Sequence, residues 1–246
     1  AITYSVSQFP KWQNKPLKRL FRSQGYERVY NEFDALVTNS EEIQNFLRGM
    51  GVKTRIQYIP NGVELQRFHP AGSEQEKQEA LAIRGHYGIP PEHKVIVSVG
   101  AVMPRKRPDT IISAWSKLRE DFPDTHLLFV GPRADQYDPK LGNFGKSIAN
   151  LIKQSGDSGK IHFSGNVENV ESHLRASDIF ILASEREGTP NSVLEAMACG
   201  LPCLVTPFTG ISASIGTADH HYQLVDRNPE AMRAKLASLL QDSDLR

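Results

Sequence analysis

From residue 94 onward, short β-branched runs alternate with amphipathic segments, the pattern of a parallel sheet wrapped by helices. The strands expected are Val95–Val99, Leu127–Val130, Ile161–Phe163, Ile179–Leu182 and Cys203–Val205. Helices are expected near 108–121, 145–155, 170–176, 190–199 and 229–241. Several strands end in small or polar residues: S-V-G at Gly100, F-V-G-P at Gly131, F-S-G-N at Gly165 and L-A-S at Ser184. Ligands of open α/β sheets bind outside the carboxyl ends of the strands, so a site is sought in those loops.

Upstream, Asp34–Thr38 reads as a strand, followed by N-S-E-E-I-Q-N-F-L-R-G-M-G-V. Ser40 suits an N-cap, Glu41 and Glu42 a first turn, and Gly49 or Gly51 a helix end. A strand at Arg55–Ile59 then runs into P-N-G-V, which completes one βαβ unit and not a whole domain. Residues 70–92 are polar and turn-rich and read as an inter-domain linker.

Bulk composition excludes several functions. With 29 basic and 28 acidic residues among 246, the formal charge is +1, so nothing in the whole-chain balance points to nucleic acid. Two cysteines, Cys199 and Cys203, are too few for a disulfide framework and have no ligand partners at metal spacing, so no metal is expected. A reducing cytoplasm fits that usage. No apolar run is long enough to span a membrane, and the N-terminus has no signal-peptide pattern. Lys11 to Arg28 carries six basic residues against one acid, interleaved with Trp12, Leu17, Leu20, Phe21 and Tyr26. That stretch reads either as an amphipathic helix on an anionic membrane, at the inner face, or as a helix packed on its own domain.

Two segments can carry chemistry. In E-R-E-G-T-P-N-S-V-L-E-A-M-A-C-G-L-P, Thr189 suits an N-cap and Pro190 the first helical position. The backbone amides of Asn191 and Ser192 would then face outward at a positive helix end, which suits a phosphate. Glu187 lies just before that end and Glu195 more than one turn inside, so they are not a close acid pair. Each carboxylate suits the paired hydroxyls of a sugar or ribose, and each equally suits an ordinary surface charge. In S-V-G-A-V-M-P-R-K-R-P, a strand runs through Gly100 into Arg105, Lys106 and Arg107. Such cations can neutralise a diphosphate, or simply form a solvated basic turn.

The order and spacing of these pieces resemble the family 4 retaining glycosyltransferases of the GT-B fold. The resemblance is carried by V-T-N-S-E-E-I, Y-I-P-N-G-V-E-L-Q-R-F-H-P, S-V-G-A-V-M-P-R-K-R-P-D, F-V-G-P, I-H-F-S-G-N-V-E-N-V-E-S-H-L-R-A-S-D-I-F-I-L-A-S and E-G-T-P-N-S-V-L-E-A-M-A-C-G-L-P. The last is similar to the family's E-x7-E motif, with Glu187 and Glu195 in register. The resemblance implies an α/β chain of two Rossmann-like domains with parallel sheets, the N-terminal one incomplete. Residues 1–75 would be a partial acceptor-side domain with linker, and residues 76–246 the nucleotide-sugar domain.

It further implies a donor of the UDP- or GDP-sugar kind, no cofactor or metal, and a sugar or lipid-linked acceptor. The sugar would be transferred with retention of anomeric configuration. Glu187 would meet hydroxyls of the transferred sugar and Lys106 the diphosphate, which makes these two the catalytic candidates. Glu195 would hold the ribose; Asn191, Ser192 and Val193 would offer amides to the diphosphate. Gly100 would admit the donor, and Gly165, Asn166 and Val167 would flank the base. Arg105, Arg107, Gly188, Thr189, Pro190 and Leu194 complete the expected donor set.

The chain departs from the family pattern at three points. Ala101 stands where many members have arginine, so the second phosphate cation must be Arg105 or Arg107. Arg107 stands at a position commonly glycine. T-P-F-T-G-I-S-A-S-I-G replaces a Gly-Gly-rich turn. The family's glycine-rich acceptor loop and its histidine near the sugar find no counterpart here, so a chain truncated at both ends is expected, one that alone binds nucleotide weakly and transfers nothing. Two other functions compete: a non-catalytic GT-B module that binds nucleotide or a membrane surface, and a nucleotide-sugar epimerase of the same fold.

Overall fold

The computed structural model describes residues 3–6, 25–187, 189–207 and 215–241. The chain divides into two compact units. One comprises Ala1–Gly62, Arg186–Pro190 and Phe208–Gly216; the other comprises Val63–Glu185, Asn191–Pro207 and Thr217–Arg246. The main change of unit thus falls after Gly62, ahead of the polar segment where sequence placed it.

In the smaller unit, strands β1 (Thr3–Val6), β2 (Ala35–Thr38) and β3 (Arg55–Tyr58) form a parallel sheet in that order. Helix α1 covers residues 25–30 and α2 covers Glu41–Gly49. Ser40 caps α2 as expected, its hydroxyl accepting from the Ile43 amide at 3.3 Å. Ile43 and Leu47 of α2 pack with Leu36, Met50, Val52 and Ile56 into one core. Of the basic stretch 11–28, residues 11–24 lie outside the described residues, and 25–28 open α1.

The larger unit begins with a correction. Residues 74–86, read as part of a linker, are helix α3 (Glu74–His86). It buries none of its side chains, so no apolar stripe announced it. Its start is fixed by a capping box: the Ser73 hydroxyl accepts from the Glu76 amide at 3.2 Å, and the Glu76 carboxylate accepts from the Ser73 amide at 2.9 Å. Near its end Arg84 donates to the carbonyls of Ala176 and Pro91 and pairs with Asp178 at 2.7 Å.

The remaining elements alternate as expected. They are β4 (Lys94–Val99), α4 (Pro108–Leu118), β5 (Thr125–Val130), α5 (Gly142–Gln154), β6 (Ile161–Phe163), α6 (Val170–Arg175), β7 (Ile179–Leu182), α7 (Asn191–Ala198), β8 (Cys203–Val205), β9 (Gln223–Leu224) and α8 (Pro229–Gln241). All six strands are parallel, in the order β6-β5-β4-β7-β8-β9. Every residue of β5 and β7 is buried, because helices cover both faces. Ile96, Leu127, Phe129, Ile179, Ile181 and Leu204 face Ile111, Trp115, Ile148, Met232 and Leu236 of α4, α5 and α8. Each such fully buried side chain contributes about 1.5–3 kcal/mol relative to exposure.

Candidate functional site

The strand order creates the site. From β4 the chain steps outward to β5 and β6, then crosses to the other side of β4 with β7. Ligands of open α/β sheets bind in the crevice outside the carboxyl ends of the strands at such a switch point, so the loops after β4 and β7 mark the candidate site. The loop after β4 is the basic segment 100–107, and β7 runs into Ser184 and Glu185. These two loops are joined: the Glu185 amide donates to the Arg105 carbonyl at 2.9 Å.

Glycines let the strand ends come together here. Gly100 has φ 126°, and a Cβ on it would lie 3.4 Å from Cε and Nζ of Lys106, so the ammonium arm passes over the glycine. Gly131, at φ 138°, would carry a Cβ only 2.5 Å from the Gly100 carbonyl oxygen, a clash with backbone that no side chain could relieve. Gly165 bridges to Gly131. The Ser164 hydroxyl holds that junction, accepting from the Gly131 amide at 3.2 Å and donating to the Gly165 carbonyl at 2.8 Å. Asn166 beside it is exposed and Val167 is half-buried.

Among the three cations, Arg107 is distinct. It sits at φ 49°, ψ 50°, the left-handed region that favours glycine, and it precedes Pro108 at the start of α4. Its guanidinium pairs with Asp109 at 2.8 Å and with Glu185 at 3.4 Å. Two carboxylates thus already engage the arginine that sequence offered as a phosphate cation. Pro104–Lys106 form a 3-10 turn that presents Arg105 and Lys106.

Helix α7 starts at Asn191, one residue later than expected. Val193 is buried to 0% exposure, so only its backbone can face a ligand; Asn191 is exposed, and Ser192, Leu194 and Glu195 are half-buried. Burial raises the Glu195 carboxyl above its ordinary range, Arg67 acts to lower it and Glu171 adds to the rise. Arg67 was not singled out from sequence. Its Nε donates to Glu171 at 2.8 Å and its Nη2 to the Glu168 carbonyl. Both cysteines are free and buried, and burial pushes the Cys199 thiol up to about 11 and raises the Cys203 thiol further, which disfavours the thiolate at both.

Glu187, Thr189 and Pro190 belong to the smaller unit, whereas Glu195 belongs to the larger. Thr189, expected to cap α7, donates its hydroxyl hydrogen to the Asn39 carbonyl, and its own carbonyl accepts from Asn61 Nδ2 at 3.5 Å. Glu187 is half-buried, and Gly188 lies outside the described residues. Among the described residues, no group of His, Cys, Asp and Glu is arranged to hold a metal. No described helix is long and apolar enough to cross a membrane.

Known proteins carry the same pattern. The model of Glycosyl transferases group 1 matches residues 79–246, and that of Glycosyltransferase Family 4 matches residues 3–67. The chain is 28% identical over 231 residues to the D-inositol 3-phosphate glycosyltransferase of Salinispora arenicola, covering 90% of this chain and 50% of that protein. It is 32% identical over 158 residues to the UDP-Gal:alpha-D-GlcNAc-diphosphoundecaprenol alpha-1,3-galactosyltransferase of Escherichia coli, covering 63% of this chain and 38% of that one. Its fold is similar to that of Anabaena HepE in complex with UDP and glucose, with a TM-score of 0.83 at 15% identity, over 99% of this chain and 62% of that one. The chain spans about half the length of the curated relatives it matches. Its α/β fold with parallel sheets is of the GT-B glycosyltransferase type. By its sequence from residue 79 to the end, this chain belongs to the group 1 glycosyl transferases, of the family 4 type.

Proposed function

We propose that this chain belongs to a retaining glycosyltransferase that moves a sugar from a nucleotide-sugar donor to a sugar or lipid-linked acceptor, and that its larger unit binds the donor. The observation that carries the reading is Lys106 lying over Gly100 at the β4/β7 switch point. A diphosphate in that crevice meets an ammonium with no Cβ between it and the strand end. UDP as the nucleotide is consistent with the named ligands of HepE and the named donor of the E. coli relative.

In this reading, the bond between the anomeric carbon and the diphosphate oxygen breaks, and an acceptor hydroxyl oxygen forms the new bond and releases its proton. Charge builds on the departing diphosphate. Lys106 and the amides that open α7 stabilise it, and because they are in place beforehand little reorganisation is needed. Glu195 accepts hydrogen bonds from the ribose, and Glu187 from the transferred sugar. Arg105 or Arg107 would supply the second phosphate contact, Arg107 only by giving up its pairs with Asp109 and Glu185. A binding module needs no sugar-holding carboxylate, whereas an epimerase would hold the same nucleotide sugar and transfer nothing to an acceptor, so formation of a glycosylated acceptor separates the transferase from both.

The test is a split of roles. Glu195→Ala should weaken nucleoside diphosphate binding by about tenfold or more, read by calorimetry, since charge-assisted contacts are worth about 1.5–3 kcal/mol. Glu187→Ala should leave nucleotide affinity unchanged and abolish sugar transfer. Equal loss of nucleotide affinity in both variants contradicts the assignment.

A further inference from the structure

Helix α7 places Glu195 where burial works against its charge, yet a group that receives ribose hydroxyls must be an ionised acceptor. The structure supplies a nearby cation from a distant part of the sequence. Arg67 follows P-N-G-V-E-L-Q, outside every helix and strand, and its two nitrogens grip α6 and the loop before it. Nε donates to Glu171 at 2.8 Å and Nη2 to the Glu168 carbonyl, at the end of the Gly165–Glu168 loop. The backbone of this segment is held from the same helix: Arg175 Nη2 donates to the Arg67 carbonyl at 2.8 Å, and Arg175 Nε to the His69 carbonyl at 3.0 Å. Arg175 is itself anchored by Glu76 at 3.2 Å. The forked side chain is thus doubly fixed, and its Cζ lies over the Phe68 ring, 5.2 Å from the centroid.

We propose that Arg67 is a positioning residue of the donor site, which fixes the Gly165–Glu168 loop and supplies the positive charge that faces Glu195. This rests on the reading of Glu195 as the ribose-holding carboxylate. The charged groups around the pair are few: Arg67 and Glu171 act on Glu195, Glu64 and Glu171 act on Arg67, and Cys199 lies one turn further along α7. The sign follows from these. Without Arg67, burial and Glu171 act on Glu195 unopposed, so its carboxyl protonates at higher pH and ceases to be a pure acceptor.

The experiment compares wild type, Arg67→Ala, Arg67→Lys and Glu195→Gln in the chain as it stands. Binding of uridine and guanosine diphosphates is followed by calorimetry across pH, and the Glu195 carboxyl is titrated by carbon NMR without ligand. Arg67→Ala should bind about tenfold more weakly, with its acid loss of binding moved to higher pH, and the NMR midpoint of Glu195 should move upward with it. Arg67→Lys should keep the midpoint near wild type while losing part of the affinity, because it keeps the charge and loses the fork. Glu195→Gln should show no such shift. An unchanged Glu195 midpoint in Arg67→Ala overturns the proposal even where affinity falls. Failure of folded wild type to bind either nucleotide overturns the donor-site reading and the proposal with it. Where Arg67→Ala does not fold, the comparison of Arg67→Lys with Arg67→Gln decides: equal midpoints contradict the role of charge.

Discussion

At the scale of single residues, Arg107 shows how the chain departs from its family pattern. A left-handed backbone costs a non-glycine residue about 1–2 kcal/mol, while partly exposed ion pairs return up to about 1 kcal/mol. Arg107 holds φ 49° while pairing with Asp109 and Glu185. Arg107→Ala keeps the strain and loses the pairs; Arg107→Gly loses both. Thermal unfolding should therefore find the alanine variant less stable than the glycine variant by about 1 kcal/mol, the reverse of their usual order. Alanine equal to or above glycine would show that the left-handed backbone carries no such strain.

His126 gives a second residue-level prediction. Its Nε2 lies 3.1 Å from His93 Nδ1 and its Nδ1 lies 3.0 Å from His162 Nε2, an arrangement in which a neutral His126 can donate from one ring nitrogen and accept at the other. Burial, then His162, His93 and Lys160, lower its pKa from 6.5 to about 4, with Asp157 opposing. Between those two values the unfolded chain binds the proton that the folded chain refuses. Stability is therefore full above pH 6.5 and falls as pH drops toward 4, by on the order of 3 kcal/mol from this group. His126→Gln should flatten the pH dependence of the urea midpoint across that window. A slope as steep as that of wild type places the acid sensitivity elsewhere.

At the scale of elements, α3 is held by its ends and by one arginine. Ser73→Ala removes the cap and should cost about 1 kcal/mol. Arg84→Ala removes a guanidinium from the Asp178 carboxylate, which keeps Lys94 at 3.1 Å and the Val95 amide at 2.9 Å, so it should cost about 1.5–3 kcal/mol, the worth of a hydrogen bond to a charged group. Denaturant unfolding of the two variants checks the order; a larger loss in Ser73→Ala than in Arg84→Ala would mean that the cap, not the clamp, secures the helix. The same helix shows why sequence reading succeeded in places and not in others. Ile161–Phe163, Ile179–Leu182 and Cys203–Val205 were legible because strands buried on both faces are short apolar runs between turns. Helix α3 buries nothing, so its polar composition was read as a linker. Strand β1, with the sequence T-Y-S-V, and the two-residue β9 were too short to give a period. The Lys106 loop and the segment from Glu187 to Glu195 could be singled out from sequence because each lies within one short stretch, and their roles stand as proposals. Arg67 was not, because its partner Glu171 is 104 positions away and only the fold brings them together.

At the scale of the whole molecule, strand order decides where chemistry can occur. The order in which the chain adds parallel strands reverses at β4, first toward β5 and then to β7 on its other side, and near that point lie two strand-end glycines, Gly100 and Gly131, with Lys106 laid across the first. Family membership says that such a chain has a place in sugar transfer; the switch point says which part of it should hold the charged end of the donor. The most direct measurement is calorimetric titration of uridine and guanosine diphosphates into the wild-type chain and into Lys106→Ala, with folding checked by circular dichroism. The account predicts that at least one nucleotide binds, and that the variant, folded as wild type, binds it about 10- to 100-fold more weakly through the lost charge-assisted contact. Equal affinity in the two proteins, or no binding by folded wild type, would contradict it.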